Sequence, residues 1–550
     1  MRTDFPAGFP SGLAVGRPPA CAPRPGHNGA FRCLIASGFL GFVALTASAG
    51  AALAAGDDPL SAIDWLSQSV STPGTARSTG TAKPVEPPVA SDGALPVMVS
   101  STSLDIPSPD SVGLISPSVS GLPRNLWGAG LTDEIARAVI RDRMESLPAL
   151  RQLFLTMLLA EADAPIDAGN KGHLLQARID KLLLIGGLEQ AAALIDIAGD
   201  NTPALFRRAF DIAILTGRED KACERMQKAP GLAPTLPARV FCLARSGDWD
   251  AAALTLTSAD ALGDVDKGQT ALLSRFLDPD LFEADTVPPP PSPVTPLDWK
   301  LYEAIGETIP TGRLPIAFAY AETGPQSGWK AQIEAAERLT RAGTIAPNVL
   351  LGLYTERDPA ASGGVWDRVD AFQIFDAAMQ SGDPARIAAA LPPVWSRMQE
   401  AELEVPFASL YGPALAGFDL PPDAARIAFR IGLLSPQFET IARAHKPLDE
   451  TETFLAGLAL GDITDLRAPD TMGRAIAPAF LAPELSDEAR MLLEGMRLGE
   501  AILLAIEDIQ RGVDGNVTGV TRGLSLLRKV KLENVARRTA LELMILERRG

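Results

Sequence analysis

Residues able to do chemistry are sparse in this chain and lie far apart. Beyond the first 54 positions there are two histidines, His173 and His445, and two cysteines, Cys223 and Cys242. Two histidines on separate predicted helices argue against a histidine-built metal centre and against a Ser-His-Asp triad. Each reads as a surface or helix-end residue. The sequence carries no G-x-S-x-G elbow, no phosphate loop of the G-x-x-x-x-G-K-[ST] type, no G-x-G-x-x-G and no EF-hand. Carboxylates are plentiful, but on helices most serve as solvated faces or i,i+4 partners. A glycosidase-type carboxylate pair forms only in three dimensions, so that chemistry stays open as an alternative. No catalytic, cofactor-binding or metal-ligating residue is assigned, and no cofactor is expected.

The cysteines have a geometric reading. Cys223 falls in the second helix of one predicted pair and Cys242 in the first helix of the next, with the connecting loop centred near Leu232. About equal arm lengths put the two at one level of an antiparallel pair. Either they form a disulfide or they are two small buried thiols. The geometry and an oxidising location favour the disulfide, worth about 3 kcal/mol for a loop of roughly 20 residues.

The elements that would hold these residues are helical. Tyr is scarce, and Ala and Leu dominate, a bias that favours helices over strands. From Leu131 onward, apolar residues recur at intervals of three and four, in stretches such as LTDEIARAVIRDRMESL and HLLQARIDKLLLIG. Three turns align at an interval of 30: LLLIGGLEQAAAL, IAILTGREDKACE and CLARSGDWDAAAL. Gly187, Gly217 and Gly247 take equivalent places, with Ala192, Ala222 and Ala252 five residues later and Leu183, Ala213 and Leu243 four residues earlier. Glycine there supplies a left-handed cap, and the small alanine allows close helix packing. A weaker copy surrounds Gly382, and a further one Gly461. Helix–turn–helix units at such a period predict an all-α fold, an α-solenoid of antiparallel helix pairs of tetratricopeptide-like type.

Residues 32–55 form the one long apolar run, preceded by Arg17, Arg24 and Arg32. Ala52-Leu53-Ala54 fits a secretory cleavage site, with Ala55 or its neighbour as mature start; cleavage after Ala49 also fits. The alternative is an uncleaved anchor in the inner membrane. The expected organisation is a signal segment at 1–55, then a disordered Pro/Ser/Thr-rich tether at 56–125. The tether includes one extended strand, LPVMVSSTSLDIP, and an apolar stretch, VGLISPSVSGLPRNLWG, read as a lid along the helical body or as a docking segment. A helical-repeat block follows at 126–277, a Pro-rich spacer at 278–296 and a second helical block at 297–480. The last part, 481–550, holds long helices and a cap.

The formal charge is −17, and the leader is basic, so the body is more acidic still. That argues against nucleic acid as a partner. One stretch runs the other way: Arg522–Arg549 holds eight Lys/Arg against three acids. It is read as a cap whose apolar face (Leu524, Leu527, Val530, Leu541, Met544) closes the core, or as a weak contact for an acidic partner.

The stretches LLAEADAP, FRRAFDIAILTG, FCLARSGDWDAAALTL, LYEAIGE, GWKAQIEAAERL, LLGLYTERDPAASGGVWDRV and AFRIGLLSP resemble, in wording and order, an uncharacterised alphaproteobacterial family of exported helical-repeat envelope proteins. The resemblance covers most of residues 120–480. Some members carry an "antifreeze" label, but the repeated Ala-Ala-Thr units and flat Thr ladders that would support it are missing here. The resemblance implies an envelope location and no mechanism. The expected role is a periplasmic scaffold or adaptor binding another envelope protein, without catalysis. The alternatives are a carboxylate-dependent, glycan-acting envelope hydrolase or lyase, and a membrane-anchored structural protein.

Overall fold

Proline opens many of the helices and glycine closes them. Pro148, Pro203, Pro296, Pro347, Pro384 and Pro422 each stand first in a helix, where a missing N–H costs nothing. Side-chain caps precede several helices: Thr202, Thr235, Asp248, Asp266 and Ser486 each accept a backbone N–H of the first turn. Thr295 and Asp298 form a reciprocal capping box. The computed structural model describes residues 108–141, 147–282 and 286–546. Among these it is all-helical: twenty-five α-helices, a few 3-10 turns and no strand, arranged as a solenoid of antiparallel helix pairs. The expected signal segment, the extended strand and residues 56–107 of the expected tether lie outside the described residues. The tether's last part, 108–125, is described and is not a free linker, with short helical turns at Pro109–Ser111 and Pro117–Ser120 and Leu122 buried.

The repeat turns share one geometry. Gly217 and Gly247 sit just past their helices at φ +67° and +84°. The next amide reaches back to close the turn, Arg218 N to Ala213 O and Asp248 N to Leu243 O. Gly382 and Gly461 also have positive φ, +65° and +81°. The first copy needs a correction. The left-handed residue is Gly186 (φ +78°), whereas Gly187 has φ −82° and begins the following helix. The matching alanine moves with it: Ala191 is fully buried and Ala192 only partly. In a Gly-Gly pair either residue can take the cap, and spacing alone cannot choose.

The Pro-rich spacer does not mark the boundary expected of it. The helix after it, Pro296–Ala304, packs against Pro203–Leu215 and shares a core with Phe206, Phe210 and Phe241 through Leu297, Leu301 and Tyr302. Tyr302 also donates a hydrogen bond to Pro288 O (2.7 Å), tying the prolines down. Prolines occur inside helices too. Pro392 and Pro393 lie within Pro384–Glu400, where the burial of Leu391, Val394 and Trp395 offsets the lost backbone bonds.

The C-terminal helices are shorter than their uninterrupted amphipathic pattern predicts. The expected long helix breaks at Met496 into Asp487–Glu494 and Leu498–Val513. The expected final one breaks at Lys531 into Val517–Lys529 and Glu533–Ile545. Both breaks repeat the glycine-turn geometry with a non-glycine residue, Arg497 N reaching Leu492 O and Leu532 N reaching Leu527 O. The last helix packs against Pro148–Leu159 with Leu541 fully buried, and Leu524 and Leu527 of the helix before it are fully buried as well.

Three helices lack a capping side chain of their own and receive a carboxylate from a distant part of the chain. Glu542 accepts Ala149 N (2.9 Å), Asp110 accepts Leu175 N (2.6 Å) and Asp167 accepts Thr132 N (2.8 Å). Acids at helix N-termini also meet the favourable end of the helix dipole. The apolar stretch after Val112 runs along the helical body. Leu122, Leu126 and Trp127 are buried, and Ile115 bridges Ala160. Arg178, buried in full, fixes this stretch by donating to the carbonyls of Leu158, Ala160 and Val112.

Candidate functional site

Cys223 and Cys242 are bonded to each other, with Cα atoms 5.0 Å apart. The bridge joins Glu219–Lys228 to Leu236–Arg245, and both cysteines are buried in the same small core. The expected cleavage residues Ala52, Ala54 and Ala55 lie outside the described residues.

Both histidines occupy helix ends. His173 begins His173–Leu184 and is exposed, 3.7 Å from Asp133. His445 follows Phe438–Ala444, stacks on Phe429 with ring centroids 3.6 Å apart, and bonds Glu452 at 2.8 Å. The structure does not bring the two together with a nucleophile. Among the described residues no group of three His, Cys, Asp or Glu is placed to hold a metal ion.

Of several hollows lined by charged groups, two bring together residues from well-separated parts of the chain. The larger, about 410 Å³, lies where helices from the first, middle and last parts of the chain meet. Pro148–Leu159 contributes Arg151, Trp329–Ala342 contributes Thr340 and Arg341, and Glu533–Ile545 contributes Arg538. Glu402 is the one carboxylate in the lining. Backbone carbonyls orient two of the guanidinium groups: Arg151 donates to Arg341 O, and Arg341 Nε donates to Ala401 O (2.9 Å). Gln190 is held by its Nε2–H bond to Thr344 O (2.9 Å). Its Oε1 and the Thr340 hydroxyl are buried and have no protein partner.

The smaller hollow, about 230 Å³, includes Arg207, Asp211, Asp266 and Asp298. Asp211 is 7% exposed, and its Oδ2 has no hydrogen-bond partner. Burial pushes its carboxyl up from 3.8 to about 7, against the pull of Arg207 and Arg208. Burial also raises the Asp298 carboxyl, opposed by its bonds from Thr295. The neighbouring Arg207 is lowered by burial, and its Nε is unpartnered.

Neither hollow was identified from the sequence. Arg151 and Arg341 stand 190 positions apart, and nothing local marks either arginine. Asp211 had a weak signal: an acid on a stretch, FRRAFDIAILTG, that is otherwise apolar on the buried side. The basic C-terminal stretch was visible, but its charges divide in use. Arg522, Arg528 and Arg537 pair with Asp508, Glu533 and Glu439, whereas Arg538 faces the larger hollow. No family model matches this chain, and no curated protein or solved structure is found similar to it.

Proposed function

We propose that the chain is an exported helical-repeat scaffold or adaptor that binds another envelope protein and carries out no catalysis itself. The observation that carries the reading is the Cys223–Cys242 bridge set into a tandem array of helix pairs. Stacked helix pairs present broad surfaces for protein partners, and a disulfide that staples one pair to the next suits an oxidising compartment. The apolar, leader-like run at 32–55 points the same way. The kinship with alphaproteobacterial envelope proteins is part of this proposal.

The test combines location and partner. Cell fractionation should find the chain in the periplasm, shortened by its leader, with no thiol titratable after denaturation. Crosslinking in intact envelopes should yield one reproducible protein partner that rebinds when both are purified. A cytoplasmic chain with two free thiols would remove the reading. An N-terminus that keeps the apolar run would favour the anchored structural protein instead; among the described residues no helix is long and apolar enough to cross a membrane.

A second reading is a carboxylate-dependent envelope enzyme. It draws on Asp211, whose carboxyl is protonated up to about pH 7 in a hollow shared with Asp266 and Asp298, as a general acid must be. Release of soluble fragments from purified cell-wall glycan, abolished by Asp211→Asn, would establish it.

A further inference from the structure

We propose that the larger hollow is a binding site for a small multivalent oxyanion, a molecule carrying two or more carboxylate or phosphate groups. The inference stands apart from the adaptor reading and needs no protein partner.

Charge is the first argument. Acids outnumber bases 67 to 50 in this chain, yet three guanidinium groups line one hollow with a single carboxylate, Glu402. Arg151 and Arg341 are fixed by backbone carbonyls. The Ala401 carbonyl orients the Arg341 guanidinium without cancelling its charge, so the positive potential of that group is aimed and kept. Planar forks held in this way are suited to carboxylate and phosphate oxygens.

Arg538 is the second argument. Its neighbours in sequence find acidic partners, Arg537 with Glu439 and Arg528 with Glu533. Arg538 has no hydrogen bond or ion pair among the described residues, although acids outnumber bases over the chain as a whole. The Thr340 hydroxyl, 3% exposed and unpartnered, adds a neutral donor to the same lining. Gln190 Oε1 is a buried acceptor there and would take a hydroxyl of the ligand. The volume, about 410 Å³, lies within the usual range for small-molecule sites.

The probes are citrate, tricarballylate (citrate without its hydroxyl), inorganic pyrophosphate and acetate, titrated calorimetrically into the full mature chain at low ionic strength. We expect at least one of the three polyanions to bind one-to-one with a Kd below about 1 mM, and acetate not to bind. Citrate or pyrophosphate as the tighter ligand tells a carboxylate source from a phosphate source. Arg538→Gln should weaken binding about tenfold or more, and Arg538→Lys by less, because lysine keeps the charge and loses the fork. The unliganded Arg538→Gln protein should melt no lower than the wild type, since its arginine bonds nothing and sits among like charges. No polyanion binding at 10-fold the expected Kd, or undiminished binding to Arg538→Gln, would overturn the site. Equal affinity for citrate and tricarballylate would remove the role given to Gln190.

Discussion

Between His173 and Leu262 glycine closes the helices, whereas between Leu498 and Ile545 most glycines lie inside them and Gly515 (φ +113°) closes one turn. At Gly217 and Gly247 a Cβ would meet nothing within 4 Å. These glycines are required by their backbone angle and by nothing they touch. In the C-terminal helices one turn falls to Gly515, but the other two fall to Met496 and Lys531, at φ +55° and +66°. The glycines inside these helices are used for proximity. A Cβ on Gly519 would lie 2.2 Å from Asp508 O, one on Gly523 2.6 Å from Ala505 O, and one on Gly512 2.4 Å from Val520. Helices Leu498–Val513 and Val517–Lys529 therefore meet backbone to backbone. One helix–turn–helix plan is reached by two means, and the same residue type carries opposite information in each.

The largest effect should separate these uses. Ala is favoured over Gly by about 1 kcal/mol inside a helix, so Gly519→Ala would stabilise an open helix. Here the contact is with fixed backbone, and overpacking should prevail, for a net loss of about 3–4 kcal/mol. Gly217→Ala, strained in φ but free of contacts, should cost about 1 kcal/mol. Urea denaturation of both variants measures the difference, and equal losses would erase the distinction.

The next test concerns the first region's staple. The core around Cys223 and Cys242 is the smaller of the two main clusters and relies on the bridge in proportion. Replacing both cysteines by alanine should cost about 3 kcal/mol for a loop with sequence separation 19. Calorimetry of the wild type with and without reductant should reproduce most of that loss. A melting temperature indifferent to reductant would mean that packing alone holds these helices.

How much of this was legible follows from the same contrast. Turn glycines are visible because few other residues tolerate φ near +70°, so Gly217, Gly247, Gly382 and Gly461 stood out. Gly186 was missed by one position because a Gly-Gly pair offers two equal candidates. Met496 and Lys531 left no trace, since a non-glycine residue in a left-handed turn looks like any other helix residue. The pairing level of Cys223 and Cys242 could be argued from arm lengths, because both flank one short loop. The arginine hollow could not: Arg151, Arg341 and Arg538 meet through the packing of Glu533–Ile545 and Trp329–Ala342 on Pro148–Leu159, contacts with no local signature. The caps given by Glu542 and Asp110 were hidden for the same reason.

A pH-dependent test probes the smaller hollow in the first region. The Asp211 carboxyl sits at about 7 in the folded protein against an ordinary 3.8. Between about pH 4 and pH 7 the folded state therefore keeps a proton that the unfolded chain has released, and this residue's contribution to stability falls as pH rises through that window. Asp211→Asn should match the wild type near pH 4 and exceed it at pH 8. Linkage sets a ceiling of about 4 kcal/mol, and water entering the hollow should bring the gain to about 2 kcal/mol. Denaturation at the two pH values checks it, and a gain independent of pH would reassign the effect to packing.

The smallest effect is the most direct comparison of the two regions. If glycine closes the first set of turns because of backbone angle alone, then placing it in the second set should help. Lys531 is exposed, and it pays the left-handed penalty of about 1–2 kcal/mol. Lys531→Gly removes that strain and loses little contact. Glycine's extra freedom in the unfolded chain takes back about 0.5–1 kcal/mol. The balance is a gain of about 0.5–1 kcal/mol, opposite in sign to Gly217→Ala. Met496→Gly, at a residue 66% exposed, should behave alike. The gain would be read as a higher urea midpoint at unchanged m-value. A lower midpoint for Lys531→Gly would mean that its side chain holds the turn through contacts of its own, and the C-terminal turns would then differ from the glycine turns in mechanism as well as in residue.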